Sequence, residues 1–190
     1  MGKPHKTAAE LFAAQALATQ AKKELTDNIL PYWMTRMCRP EGGFYGRIDG
    51  KDETDEISPL GNIMTSRILW TFSSAYRLLG KQEYLDVAGR AKDLIINRFY
   101  DYKFGGTYWS VNADGTPLDT KKQIYAIAFT IYGLAELNRA TGDGKALEYA
   151  IKLFNSIEDH SFDAVRGGYF EAFTREWAEI EDMRLSEKDA

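Results

Sequence analysis

Cysteine and histidine are nearly missing from this chain: 190 residues contain one cysteine, Cys38, and two histidines, His5 and His160. A lone cysteine excludes a disulfide within the chain and fits a reducing compartment. Cys38 has no partner spacing for zinc, and histidines so far apart form no metal-ligand motif. Positive charge is not in excess either. With 24 Lys and Arg against 28 Asp and Glu the net charge is −4, which excludes a general attraction to nucleic acid or acidic membranes. Long apolar runs are lacking. Lys3 and Lys6 precede a stretch that Glu10, Gln15, Thr19 and Gln20 interrupt, so neither a signal peptide nor a membrane span is expected. The glycine patterns of P-loop and dinucleotide-binding proteins are also missing.

What the chain does have is a repeat. Arg67–Asp101 aligns without a gap on Phe129–Asp163, an offset of 62 residues. The same shift carries Gly105-Gly106 onto Gly167-Gly168, and Gly42-Gly43 lies one repeat earlier. Each Gly-Gly opens an aromatic-rich stretch: GGFYGRIDG, GGTYWSVNADG and GGYFEAFTREW. One supersecondary unit is therefore used repeatedly, and each unit needs its neighbours to bury its apolar face.

Apolar periodicity predicts a helix over 7–37, kinked or interrupted at Pro31, and a loop with a short hairpin over 40–58. Ser58-Pro59 predicts the start of a helix running to Leu79, followed by another over 82–99. Thr120 with Gln123 reads as a capping box for a helix over 121–140, and the next helix covers 145–158. The 59–79 and 121–140 helices are apolar nearly all round, whereas their neighbours are apolar on one side. Inner helices thus alternate with outer ones. An α/α toroid is the expected architecture, with an open helical solenoid as the rival. Every Gly-Gly segment follows an outer helix and precedes an inner one, so the three loops gather where the inner helices begin. That end carries positive helix dipoles and many rings, among them Trp109, Phe173 and Trp177. Aromatic faces beside polar groups suit sugars. Ser186-Glu187-Lys188-Asp189 reads as the opening of a further inner helix, so the chain is expected to be the N-terminal part of a longer protein.

Two residues stand out. Arg67 sits near the start of an inner helix where the next unit has Phe129. A guanidinium cannot shed its charge, so it must meet a carboxylate, carbonyls, water or a substrate oxygen. Tyr125 sits near the start of the next inner helix, where the preceding unit has Ile63, and its hydroxyl is expected to face the same central cavity. Each has a structural alternative, a bridging arginine and a tied core tyrosine. His160 falls at the end of an outer helix, where a cation complements the dipole. Carboxylates are plentiful in the loops (Asp49, Asp114, Glu171, Glu176, Asp182), but no spacing singles out an acid–base pair.

NILPYWMTRM, GGFYGRIDG, SRILWTFSSAYRLL, GGTYWSVNADGTPLDTKKQIYAIAFTIYGLAE and EAFTREW…RLSEKDA together resemble the N-acylglucosamine 2-epimerase family. The likeness runs from about Glu24 to the last residue. It implies a division into an N-terminal extension, 1–23, and the N-terminal part of one barrel domain, 24–190. The implied fold is an all-α (α/α)6 toroid, here about half of the barrel, with short β-hairpins in the outer-to-inner loops. The implied reaction is 2-epimerisation of the reducing-end sugar of β-1,4-linked disaccharides, cellobiose to glucosyl-mannose and lactose to epilactose, by C2 deprotonation and reprotonation through a cis-enediol. No redox cofactor or metal is implied. Arg67 would steady the oxygen that gains charge, and Tyr125 would line the same pocket. From the loop reading above, Trp109, Phe173 and Trp177 are expected to contact substrate, the alternative being that they pack the hairpins onto the barrel end. The family's acid–base histidines fall beyond the segment that ends EKDA, and neither His5 nor His160 matches them. This chain alone is then expected to be inactive and prone to self-association, and the intact protein a cytoplasmic monomer. A glycoside hydrolase or lyase on the same toroid, and a non-catalytic sugar-binding module, remain as alternatives.

Overall fold

The structure is a computed structural model that describes residues 7–182. His5 and the Ser186–Asp189 segment lie outside the described residues. The chain forms two compact units, Met1–Cys38 and Arg39–Ala190.

In the first unit, Thr7 caps α1 (Ala8–Glu24). Its Oγ1 accepts from the Glu10 amide at 3.3 Å, and the Glu10 carboxylate accepts from the Thr7 amide at 2.7 Å, a reciprocal capping box. The helix then widens into a π-turn at Leu25–Ile29, tightens in α2 (Leu30–Tyr32) and widens again at Trp33–Met37. The expected interruption at Pro31 takes this form. Its ring nitrogen has no hydrogen to give, and the widened turn before it spares the α-helical ladder that bond.

The second unit reproduces the repeat element by element. Its helices are α3 (Asn62–Leu79), α4 (Gln82–Leu94, prolonged by a π-turn at Ile95–Phe99), α5 (Ile124–Thr141) and α6 (Gly144–Ser161). The 62-residue shift carries Asn62–Leu79 onto Ile124–Thr141 and Gln82–Phe99 onto Gly144–Ser161. Gly80 and Gly142 end the inner helices at φ of 71° and 75°, a left-handed turn that glycine takes without a Cβ penalty.

Strands follow the same shift. β1 (Arg47–Ile48) pairs with β2 (Thr54–Asp55) in the hairpin expected around FYGRIDG. β3 (Leu60–Gly61), just before α3, pairs antiparallel with β4 (Ser110–Val111), which continues to β5 (Pro117–Asp119). One repeat later β6 (Lys122–Gln123), just before α5, pairs with β7 (Ala172–Phe173). The segments after α4 and α6 are thus sewn to the strands that open α3 and α5.

This pairing corrects two expected helix starts. α3 begins at Asn62, not Pro59, and α5 at Ile124, not Lys121. Neither Ser58 nor Thr120 caps. The residues between are spent in β3 and β6. The first helical amides donate instead to hairpin carbonyls, Asn62 N to Trp109 O at 3.0 Å and Ile124 N to Glu171 O at 2.9 Å. A neighbouring strand therefore satisfies amides that a side-chain cap would otherwise take.

α3 packs against α4 and α5, and α5 against α6. Leu69, Phe72, Ile127 and Leu134 of the inner helices and Ile95, Phe99 and Leu153 of the outer ones are at most 2% exposed. Gly133 lets the inner helices close, because a Cβ there would stand 2.8 Å from Ser66 O and 3.2 Å from Leu69 Cδ2. Above that contact lies a buried polar node. Asn62 Nδ2 donates to Thr107 Oγ1 at 2.6 Å, while its Oδ1 accepts from Ser66 and Thr130 hydroxyls, both at 3.0 Å. All four residues are at most 1% exposed. Thr130→Val keeps the shape but strands part of this node, so we expect a loss of about 1–3 kcal/mol, measurable as a lower denaturant midpoint at unchanged m-value.

Among the described residues no helix is long and apolar enough to cross a membrane.

Candidate functional site

α3 and α5 begin side by side, and each turns one stripe of its first three turns to a shared cavity of about 390 Å³. Arg67, Trp70 and Thr71 come from α3, and Tyr125, Phe129 and Tyr132 from α5. The spacings i, i+3, i+4 and i, i+4, i+7 place each set on one helix face. Trp70 stacks on Tyr132 with ring centroids 5.0 Å apart and planes 11° from parallel. Phe129 meets Tyr125 edge-on at 4.9 Å and Tyr132 at 6.3 Å. The result is an aromatic wall with a cation at its edge.

Local sequence explains why Arg67 points outward. Ser66 is held in the polar node by Asn62 and Thr130, and the next residue lies about 100° round the helix. Arg67 is exposed and makes no hydrogen bond or ion pair with any described residue. Its guanidinium stays charged and offers planar, paired donors. Tyr125 is 47% exposed. A fixed fork of donors beside flat rings can hold a polyol by its oxygens and by its C–H faces.

The structure brings Arg67 and Tyr125 together and places the other three aromatics in the hairpins. Trp109 precedes β4 and lies beneath Lys121 Nζ at 5.0 Å. Phe173 in β7 is 5% exposed, with its ring 5.7 Å from Trp177. Trp177 stacks on His160 at 4.3 Å and 12°, and its Nε1 donates to Phe104 O at 2.7 Å. His160 lies in the last turn of α6. Of the loop carboxylates, Asp49 accepts from the Lys51 and Glu53 amides and Asp114 from Thr116. These bonds hold both carboxyls below the usual range. Glu171 and Glu176 are exposed. Among the described residues no group of three or more His, Cys, Asp or Glu could hold a metal ion.

Sequence reasoning missed the strongest electrostatic feature at this end. Asp101 and Lys122 are 1% and 0% exposed, with Lys122 Nζ 2.9 Å from Asp101 Oδ2. Arg175 reaches the same carboxylate with Nε at 2.8 Å and Nη2 at 3.2 Å, and Nη2 also donates to Tyr108 OH at 2.9 Å. Burial pushes the Asp101 carboxyl up. Hydrogen bonds from Arg175, Lys122 and the Lys103 amide outweigh it and hold the group well below the carboxylate range. Burial pulls the Lys122 ammonium down, partly offset by Asp101. Asp101 follows the π-turn that ends α4, Lys122 lies in β6 just before α5, and Arg175 sits beyond β7. Three segments far apart in sequence are thereby clasped together just before α5. One signal was legible: Asp101 and Asp163 correspond under the 62-residue shift, and both accept from backbone amides two and three residues on. Lys122 and Arg175 carry no such mark.

Residues 43–188 match the N-acylglucosamine 2-epimerase (GlcNAc 2-epimerase) family. The chain belongs to that family. It is 62% identical over 177 residues to a cellobiose 2-epimerase of Bacteroides fragilis, covering 93% of this chain and 45% of the relative. It is 43% identical over 171 residues to a cellobiose 2-epimerase of Ruminococcus albus, covering 90% of this chain and 43% of the relative. The solved structure of cellobiose 2-epimerase from Spirochaeta thermophila superposes with a TM-score of 0.88 at 38% identity, over 97% of this chain and 46% of that one. The chain thus spans a little under half the length of these 2-epimerases. Its helical hairpins correspond to part of their (α/α)6 toroid, the architecture expected from the alternation of inner and outer helices.

Proposed function

We propose that this chain carries one side of the active site of a disaccharide 2-epimerase that converts cellobiose to glucosyl-mannose and lactose to epilactose. The observation that carries the reading is Arg67, a guanidinium without a partner among the described residues at the rim of the aromatic wall shared by α3 and α5. In the opened sugar a base removes the C2 proton, and the C–H electrons move through C1 onto the carbonyl oxygen, giving a cis-enediolate. Arg67 holds the oxygen that gains this charge. Protonation of C2 from the opposite face completes the inversion. Electrons are neither gained nor lost overall, so the proposal includes no redox cofactor, and it includes no metal.

Tyr125 lines the pocket, and Trp109, Phe173 and Trp177 are the substrate-contacting rings of the hairpins. Proton transfer at carbon requires a group of suitable pKa. A guanidinium and a phenol are poor acid–base groups at carbon, so the acid and base are taken to be histidines outside this sequence. The barrel domain is assigned to 24–190 with 1–23 as an extension, in a cytoplasmic monomer.

The test compares two proteins with cellobiose in heavy water. One is the 190-residue chain. The other is a chimera in which this chain replaces the matching part of the Bacteroides fragilis relative. We expect glucosyl-mannose with deuterium at C2 from the chimera and no exchange from the chain alone. Glucose release without C2 exchange would sink the proposal in favour of hydrolysis. Exchange by the chain alone would mean that His160, or another group within it, supplies the base.

A further inference from the structure

The cavity shared by α3 and α5 is lined by one cation and no anion among the described residues. Under the 62-residue shift Arg67 corresponds to Phe129 and Trp70 to Tyr132. The two helices therefore supply matching rings and a single positive charge. Thr71 adds a hydroxyl, and Tyr125 and Tyr132, each 47% exposed, add two more. None of Arg67, Thr71, Tyr125 and Tyr132 makes a hydrogen bond to a described residue.

Donors and acceptors decide what suits this lining. A guanidinium donates and never accepts. A sugar hydroxyl brings it one oxygen together with a hydrogen that needs an acceptor elsewhere. A carboxylate brings two oxygens in one plane and no hydrogen, and it meets the planar fork with two parallel bonds. The three hydroxyls both donate and accept, so they suit the rest of a polyol, while the rings suit its C–H faces. The lining is complementary to a negative charge carried on a sugar chain, more than to either part alone.

We propose that this cavity binds aldonic acids, open-chain sugars whose C1 is a carboxylate, and that the acid of the disaccharide substrate is a competitive inhibitor. The inhibition rests on the epimerase reading above. In the cis-enediolate the charge lies on an oxygen of a trigonal C1, where Arg67 holds it. An aldonate carries a negative oxygen on a trigonal C1 in its ground state. A site arranged for a transition state binds stable mimics of it more tightly than substrate. The C2 proton of the acid lies beside a carboxylate and not a carbonyl, so its removal gives no stabilised enediolate. The acid is therefore held without turnover.

Cellobionate, cellobiitol and acetate are titrated by calorimetry into the 190-residue chain at neutral pH. The first two differ only at C1, a carboxylate against a hydroxymethyl group, and acetate carries the charge without the polyol. We expect cellobionate to bind about 10-fold or more tightly than either, the gain of a hydrogen bond to a charged group. Arg67→Gln should erase the gap to cellobiitol. Arg67 is exposed, so this variant should melt with the parent chain. No binding of cellobionate, a gap that survives Arg67→Gln, or acetate bound as tightly as cellobionate would overturn the proposal. The chimera separates this inference from the functional reading. C2 exchange by the chimera, with cellobionate raising KM for cellobiose at unchanged kcat, upholds both. C2 exchange that cellobionate does not slow overturns the inhibitor and leaves the epimerase. Cellobionate bound through Arg67 in a chimera that never exchanges C2 upholds the carboxylate site and counts against the epimerase reading.

Discussion

Arg67→Lys in the chimera should lower kcat about 100-fold, with KM little changed, because losing one preorganised donor to a developing oxyanion costs about 10²–10³ in rate. Lysine keeps the charge. What it lacks is the planar fork that can hold two oxygens at once. If Arg67 grips the oxygen only as it gains charge, the loss falls on the transition state and not on substrate binding. The fold provides a built-in control. Arg67 is exposed and bonded to no described residue, so the substitution removes no internal contact and the melting temperature should stay in place. Steady-state kinetics with cellobiose and a thermal melt decide between the roles. An unchanged kcat with a lower melting temperature would assign Arg67 to the fold and remove it from the mechanism.

Asp101→Asn should be the most damaging single change to stability. It leaves Lys122, 0% exposed, without its carboxylate and takes the shared partner from Arg175. Breaking one side of a buried pair costs about 3–5 kcal/mol, because the remaining charge stays desolvated. For a chain of this length that is a fall in melting temperature of about 10 °C. The decisive comparison is the double variant Asp101→Asn/Lys122→Met. With the stranded ammonium gone, more than half of the loss should return, and a double variant no better than the single one would refute this account. The pH dependence has a definite sign. The folded-state pKa of Asp101 is depressed, so its stabilisation is fully present above the unfolded value of about 3.9. It is lost as pH falls through the lower folded value. Acid unfolding of the parent chain should be steeper than that of Asp101→Asn, which has nothing to protonate there.

The clasp and the cavity were unequally legible in the sequence. Arg67 and Tyr125 could be found because each breaks the apolar pattern of an inner helix near the same end. Such a break is local, and helical spacing suffices to place it on a face. Asp101, Lys122 and Arg175 look like ordinary surface charges, and only the pairing of β6 with β7 and the return of the chain after α6 bring them together. The helix starts show the same divide. Ser58-Pro59 and Thr120…Gln123 are sound capping signals taken locally. They are overridden because hairpin carbonyls reach the first amides of α3 and α5.

By itself, then, the sequence determined the repeat, the alternation of inner and outer helices and the end at which the Gly-Gly loops gather. These follow from periodicity and offset, which are properties of residues near one another along the chain. The tertiary structure alone decided where the inner helices begin, which charges are buried, that Arg67 has no described partner, and that Trp177 lies on His160. Those outcomes depend on contacts between segments dozens of residues apart. A charge at any one position is written identically in the sequence whether water or a buried carboxylate will neutralise it.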